Sequence, residues 1–241
     1  MSPDLVKQLA PTGVIRASIN RSNTLLVTGQ SPSGDPEGVS PDMARSIADR
    51  IGVNVQYVSF ANPGALCDAA GKDVWDIGLV GAEPQRAEKI AFSPAYVEIE
   101  STYLVSADST FTSVADVDAP GVRIASTSRA AYDLWLERNI KRADVVRTNS
   151  VDEAFDLFVA QRLDALAGLR PRLLSDVLRI PGARVLDGQF MAVQQAIGTA
   201  RSNTVGASFL HDFVEEAKSS GFVAELIKKH KVRGLTVASK V

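Results

Sequence analysis

The stretch Asp76-Ile77-Gly78-Leu79-Val80-Gly81-Ala82-Glu83-Pro84-Gln85-Arg86 decides the fold. A short run of apolar and small residues, bounded by an acid and a turn, reads as a strand buried on both faces, as in parallel sheets. Pro84 then opens a short helix, where proline's missing N–H costs nothing. Residues 76–80 are therefore expected as a strand and 80–86 as the loop after it. Arg86 falls within the first turn of the helix, among free N–H groups that favour anions. In open α/β sheets the loops at the carboxyl ends of strands are where ligands bind.

The same alternation runs outward in both directions. Val14-Ile15-Arg16-Ala17-Ser18-Ile19 reads as a strand, and residues 30–38, with two prolines and two glycines, as a polar hairpin tip. Ser40-Pro41-Asp42 has a cap residue, a first-turn proline and an acid at the positive end of the helix dipole. Met43, Ala44, Ile47, Ala48 and Ile51 follow at helical spacing, and Gly52 ends that helix. Residues 53–58 alternate as a strand, and Asn62-Pro63 starts a helix ending near Gly71. The pattern restarts near residue 113. Strands are expected at 122–126, 143–147 and 164–167, with helices over 129–139, from Ser150, and from Pro171. Two helices, at about 205–219 and 222–231, close the chain. Trp75-Asp76-Ile77-Gly78-Leu79 and Leu163-Asp164-Ala165-Leu166-Ala167 echo one another, each following a helix with a buried strand.

This alternation predicts an α/β protein of two lobes, each a parallel sheet covered on both faces. The loops at 20–24, 60–63, 80–86, 126–129 and 168–171 would then face a cleft between the lobes. Trp75, Trp135 and Phe158 occupy apolar positions and are expected in the core.

Composition narrows the functional classes. The chain has 241 residues, 45% hydrophobic, 22% charged and 6% aromatic, with net charge −2. That is the balance of a globular protein with a real core, and it favours neither nucleic acid nor an anionic membrane as partner. Cys67 is the single cysteine, so no intrachain disulfide forms, and it reads as a small buried hydrophobe. The two histidines, His211 and His230, lie 19 positions apart in the C-terminal helices. No grouping has metal-ligand spacing, and no triad or nucleophile elbow is present, so neither metal nor cofactor is expected. No run of about 18 apolar residues exists, so no membrane span is expected. As written, without a basic and apolar leader, the sequence reads as cytoplasmic, and as periplasmic if a precursor's signal was removed.

From Asp76 to Tyr96, including Ala91-Phe92-Ser93-Pro94-Ala95-Tyr96, the chain resembles a signature of the bacterial extracellular solute-binding proteins, family 3. Gly38-Val39-Ser40-Pro41-Asp42-Met43-Ala44 is similar to a second motif of that family, and Phe60 matches an aromatic frequent at its position. The resemblance implies a two-lobed fold of the type 2 periplasmic-binding-protein kind, with two α/β sheets joined by a two-strand hinge. Lobe 1 would take residues 1–101 and 193–241, and lobe 2 residues 102–192. The crossings would lie at about 98–105 and 191–198.

The resemblance also implies site residues. Arg86 would fork onto a ligand carboxylate, a geometry for which guanidinium is suited on physical grounds alone. A surface pairing with Glu83 or Glu88 is the alternative. The usual hydroxyls just upstream are absent, so Gly81 and Ala82 could contribute only backbone groups. Ser126, Thr127 and Ser128 resemble the loop that holds the same carboxylate. Where many amino-acid receptors carry an acid for the ligand's ammonium, this chain has Leu169 and Arg170. A second cation there favours a ligand with more than one anionic group or without the amine. The alternative for Arg170 is a solvent-facing side chain or a pair with Asp164 or Glu153. Glu98 and Glu100 share a face of the first crossing and could supply the missing acid or face solvent. Phe60, Asn20, Asn23 and one of Gln194 and Gln195 are further ligand-contact candidates.

The expectation is a non-catalytic solute-binding protein, an ABC-transporter-type receptor that captures a small anionic or amino-acid-like metabolite by hinge closure. It would act as a monomer, with a carboxylate-bearing ligand and, if exported, a permease as partners. The alternatives are a cyclohexadienyl-dehydratase-like lyase on the same scaffold, for which the second lobe's loops offer arginines but no acid, and a cytosolic ligand sensor.

Overall fold

The computed structural model describes residues 2–240. The chain forms two compact units, one taking everything up to Glu98 and from Gln194 onward, the other Ile99–Val193. The first unit begins with α1 (Pro3–Leu9), β1 (Val14–Asn20), the hairpin of β2 (Gly29–Gln30) and β3 (Pro36–Glu37), α2 (Val39–Ile51) and β4 (Asn54–Phe60). It continues through α3 (Pro63–Asp68), β5 (Ile77–Gly81), α4 (Pro84–Ala87) and β6 (Ile90–Phe92). Strand β7 (Val97–Val105) carries the chain into the second unit. Next come β8 (Arg123–Thr127), α5 (Ala131–Asn139), β9 (Asp144–Thr148), α6 (Val151–Ala160), β10 (Ala165–Leu169), α7 (Arg170–Asp176) and β11 (Arg184–Val185). Strand β12 (Met191–Ala200) returns to the first unit, which ends with α8 (Thr204–Ser219), α9 (Phe222–Lys229) and β13 (Thr236–Val237).

The α/β alternation read from the sequence is present in both units, but neither sheet is wholly parallel. In the first, β1 runs parallel to β4 and β5, while β12 is antiparallel to β5 and β6. In the second, β8 runs parallel to β9 and β10, while β7 is antiparallel to β10 and β11. The antiparallel members are the strands that pass from one unit to the other. They need no crossover helix, so helix–strand periodicity does not announce their direction.

The echo between the two halves has a physical basis. Asp76 accepts hydrogen bonds from the Arg16 backbone N–H at 2.8 Å, from Nε at 3.0 Å and from Nη2 at 2.7 Å. Its own N–H returns one to the Arg16 carbonyl at 2.8 Å. Asp164 repeats the device, accepting from the Arg123 N–H at 2.7 Å and donating its own N–H to the Arg123 carbonyl at 3.0 Å. In each unit an aspartate just before a buried strand thus locks that strand's start to the neighbouring parallel strand. The two differ in strength. The Asp76 and Arg16 side chains are 4% and 15% exposed, and the bonds to Asp76 and Asp73 push the Arg16 guanidinium further up from its ordinary value. Asp164 and Arg123 are 40% and 45% exposed, with the charged atoms 3.9 Å apart.

One helix start differs from the expectation. Ser40 does not cap α2, which begins after Gly38 with Ser40 already inside it. The Ser40 hydroxyl instead shares a 2.8 Å hydrogen bond with the hydroxyl of Tyr96, a fully buried side chain whose phenol burial pushes up. Gly38 itself has φ +144°, and a Cβ there would lie 2.3 Å from the Leu26 carbonyl oxygen. Glycine is what lets the chain pass under Leu26 into the helix. Elsewhere the caps fall as read: the Asn62 side chain accepts from the Ala65 N–H at 2.8 Å, and Ser150 from the Glu153 N–H at 3.2 Å. Trp75 and Phe158 are buried, while Trp135 is only partly buried at the margin of its cluster.

Replacing Asp76 by Asn is expected to lower unfolding free energy by about 2–3 kcal/mol, because it strips a largely buried guanidinium of its buried counter-charge and leaves it only the exposed Asp73, 2.6 Å from Nη2. Asp164→Asn is expected to cost about 1 kcal/mol or less, its pair being half exposed. Urea unfolding of the two variants checks the difference, and equal losses would contradict it.

A second expectation concerns acid. Burial alone would push Asp42 up, but hydrogen bonds from Lys229 and His230, both 2.7 Å, outweigh it and hold the carboxyl below its ordinary value. Stability from a depressed carboxyl is present above its unfolded pKa, about 3.9, and is lost as pH falls through the folded value. Asp42→Asn should therefore melt below wild type at neutral pH, with the gap closing once pH drops well under about 3.9.

Candidate functional site

In the first unit the candidates gather at the carboxyl end of β5. Arg86 lies on α4 and is 6% exposed, far below what a surface arginine shows. Its Nη1 donates to the Gly81 carbonyl at 2.6 Å, so the guanidinium folds back over the strand end. The Ala82 N–H donates to the Gln194 carbonyl at 2.7 Å. Gly81, Ala82, Arg86 and Gln194 therefore form one hydrogen-bonded group, with Gly81 opposite Gln195 in the sheet register. The Gly81 carbonyl and Ala82 N–H already serve the loop's own architecture. Gln195 is buried, and its carbonyl accepts from the Tyr96 N–H at 2.8 Å.

The downstream motif holds this loop in place. Ser93 Oγ donates to the Pro94 carbonyl at 2.7 Å and accepts from the Ile197 N–H at 3.1 Å. Residues of the signature other than Arg86, namely Asp76, Ser93 and Tyr96, thus act as fastenings. Arg86 is the one with a multi-donor head at a strand's carboxyl end. Glu83, immediately before α4, is 5% exposed, so the loop buries an acid beside the arginine.

Asn20 and Phe60 meet in register at the ends of β1 and β4. Asn20 Oδ1 accepts from the Ser22 N–H at 3.2 Å and from Ser22 Oγ at 2.8 Å, so its oxygen organises its own turn. Asn23 does likewise for the Leu25 N–H at 3.3 Å. Phe60 packs partly buried against Leu66, Trp75, Val80 and Ile90.

In the second unit Ser126 and Thr127 end β8, both buried, and Ser128 follows with its N–H on the Thr148 carbonyl at 2.8 Å. Among the described residues, Ser126 Oγ has no hydrogen-bond partner, although it is fully buried. Arg129 next takes a left-handed φ of +62°, a conformation costly for a side chain with a Cβ. Its N–H donates to Asp133 Oδ2 at 2.9 Å, and Arg147 Nε reaches both Asp133 oxygens at 2.9 and 3.2 Å. Asp133, 2% exposed, is thus the buried anchor of the hydroxyl loop. Sequence reasoning passed over it, although an acid in a helix's first turn, four residues after Arg129, was a usable signal. Burial pushes the neighbouring Tyr132 phenol up to about 12.

Arg170 sits directly after β10, at the first position of α7. It pairs with neither Asp164 nor Glu153. Its Nε donates to Glu100 Oε2 at 2.5 Å, Nη1 to the Leu186 carbonyl at 3.3 Å, and Nη2 to the Gly188 carbonyl. Asp164 is held by Arg123, and the Glu153 carboxylate accepts from the Asn149 N–H at 3.0 Å. The antiparallel pairing of β7 with β10 sets Ser101 opposite Leu169, which brings Glu100 beside Arg170. Glu98 lies in the first unit, opposite Thr236.

Among the described residues no group of three or more His, Cys, Asp or Glu could hold a metal ion, and no helix is long and apolar enough to cross a membrane.

The profile of the bacterial extracellular solute-binding proteins, family 3, matches residues 26–232. No curated protein matches the chain. Solved structures share the fold at low identity. An amino acid ABC transporter substrate-binding protein from Streptococcus pneumoniae, bound to L-arginine, is 18% identical, with TM-score 0.76 over 97% of this chain and 99% of that one. An ancestral amino-acid-binding protein described as a precursor of cyclohexadienyl dehydratase is 19% identical, with TM-score 0.75 over 93% and 97%. A histidine kinase sensor domain with similarity to periplasmic binding proteins is 17% identical, with TM-score 0.77 over 93% and 98%. The fold is that of type 2 periplasmic binding proteins. Receptor, enzyme precursor and sensor share it, so function has to be argued from side chains.

Ser126→Ala offers a check on the hydroxyl loop. Removing a buried hydroxyl that has no partner costs nothing in the folded state, so the ligand-free protein should melt at or up to a few degrees above wild type. A loss of stability would show that the hydroxyl is already satisfied.

Proposed function

The chain belongs to family 3 of the bacterial extracellular solute-binding proteins, and from that premise we propose that it captures a small carboxylate-bearing solute for an ABC-type importer. Arg86 carries this reading. It is an arginine 6% exposed, at the carboxyl end of a buried strand, with its Nη1 on the Gly81 carbonyl at 2.6 Å. A tethered guanidinium is pre-aimed. Its planar fork can offer two parallel N–H donors to a carboxylate with little further ordering. Ser126, Thr127 and Ser128 offer hydroxyl and N–H groups at the end of β8, the same chemistry in the second unit. An extracellular or periplasmic address accompanies this role.

The receptor reading is preferred over the lyase because no carboxyl stands ready as a general acid among the second unit's candidates. Glu100 is engaged by Arg170 and Asp133 by Arg147. General acid catalysis needs a protonated group within hydrogen-bond reach of the leaving hydroxyl. Prephenate and arogenate are accordingly expected to yield no aromatic product.

The test is a melting screen of amino acids, dicarboxylates and 2-oxo acids. A solute at 100 times its Kd adds about 2.7 kcal/mol of stability. Arg86→Lys keeps the charge but loses the fork, and should weaken binding about 30-fold or more, equivalent to about 2 kcal/mol. Unchanged affinity in a folded Arg86→Lys protein would remove Arg86 from the site and the reading with it.

A further inference from the structure

The last helix ends in a run of cations that the fold neutralises only in part. Lys228-Lys229-His230-Lys231-Val232-Arg233 holds four Lys or Arg in six positions, and between 222 and 240 the one acid is Glu225. The net charge of −2 for the whole chain conceals this local excess. A helix's negative C-terminal end favours cations in its last turn, which accounts for Lys228 and Lys229. It does not account for the residues beyond. Helix α9 closes in a Schellman turn, with the Val232 N–H on the Ile227 carbonyl at 3.1 Å and the Lys231 N–H on the Lys228 carbonyl at 3.0 Å. The left-handed position of that turn, φ +54°, is taken by Lys231, where glycine is the usual and less strained residue. The left-handed residues at the ends of α2 and α8 are glycines, Gly52 and Gly221. At α9 a charged side chain stands where the backbone favours none.

The elements packed against α9 supply little counter-charge. They are α2 and α8, both in the same unit. From α2, Asp42 takes both Lys229 and His230, at 2.7 Å each. Asp49 lies two turns further along α2, about 10 Å from Asp42. On α8, Glu216 pairs with Arg50, Glu215 with Lys218 and Asp212 with His211. Among the described residues, the exposed side chains of Lys228, Lys231 and Arg233 have no ion pair and no hydrogen bond. Arg45, one turn past Asp42 on α2, adds a further exposed cation.

We propose that this end of the first unit is a membrane-contact surface, which holds the protein against an anionic phospholipid bilayer through the lipid phosphates. Charge complementarity gives the class of partner, and the composition of the run narrows it. Three of its four strong cations are lysines, point charges that need no bidentate partner and so suit mobile headgroups in a plane. No Phe, Tyr or Trp follows Phe222, so nothing is offered for stacking on nucleic-acid bases. Val232 and Leu235 are partly buried in the fold, so the contact is electrostatic and inserts no side chain into the hydrocarbon. The surface goes beyond solute capture and involves none of the candidate ligand residues. For a receptor it would confine the search for an importer to two dimensions.

The experiment is co-sedimentation of the full chain with vesicles of phosphatidylglycerol and phosphatidylcholine in equal parts, and with vesicles of phosphatidylcholine alone. At low salt the protein should bind the mixed vesicles and not the neutral ones, and about 0.5 M salt should release it. The triple variant Lys228→Gln, Lys231→Gln, Arg233→Gln should bind about 100-fold more weakly, at about fivefold per cation. A control with the same change in net charge, Lys7→Gln, Lys72→Gln, Lys89→Gln, should bind as wild type does. Lys231→Gly separates charge from fold: it relieves the left-handed strain, so it should melt no lower than wild type, yet bind about fivefold more weakly. Wild type that stays off the mixed vesicles, equal binding to neutral vesicles, or a control as weakened as the first triple variant overturns the proposal. So does a DNA duplex bound more tightly than the mixed vesicles at the same salt, which would assign the cations to nucleic acid. Solute affinity is measured without vesicles, so failure of the receptor reading and failure of this one are told apart.

Discussion

A buried carboxylate holds the first unit in register. Asp76 takes three hydrogen bonds from Arg16 and gives one back through its backbone, so the start of β5 cannot slide against β1. Slippage by one residue would turn every side chain of a strand to the other face. Strand β5 is buried along its whole length, so its own apolar residues give little preference between registers. The charged clasp supplies what hydrophobicity cannot. It does so without stranding a charge, because the guanidinium and the backbone N–H together satisfy the carboxylate.

The loop that carries Arg86 depends on that anchoring. With the start of β5 fixed, its end at Gly81 is fixed, and the turn into Pro84 has one route. Arg86 then lands where its Nη1 meets the Gly81 carbonyl. On the far side, Ser93 and Tyr96 bind the chain to β12 and α2, so the loop is held at both ends. A cation 6% exposed costs desolvation, and such placement persists only in a frame this well determined.

The second unit repeats the clasp and then diverges from the first. Asp164 and Arg123 fix β10 to β8 as Asp76 and Arg16 fix β5 to β1, though more weakly and nearer to water. After the clasp, the first unit presents a tethered arginine within a short helix and the second an arginine directly at the strand end. Both guanidinium groups are steadied by backbone carbonyls, Gly81 in one case and Leu186 and Gly188 in the other. Carbonyl anchoring orients a guanidinium in both units. In Arg170 that charge is balanced by a half-exposed acid, Glu100.

The sequence alone determined the α/β class, the helix caps at Asn62 and Ser150, the repeated acid-then-strand pattern and the family, because these are written in residues a few positions apart. Local spacing records which face a helix buries and where it starts. It also made Arg86 a candidate, through the resemblance of Asp76–Tyr96 to the family's signature. Only the tertiary structure decided that Ser40 serves Tyr96 instead of a cap, that Asp133 anchors the hydroxyl loop to Arg147, and that Arg170 answers to Glu100, seventy positions away. The direction of β7 and β12 belongs with these. Each is set by antiparallel pairing of strands distant in the chain, and no local pattern encodes which distant strand will pair, or which way it will run.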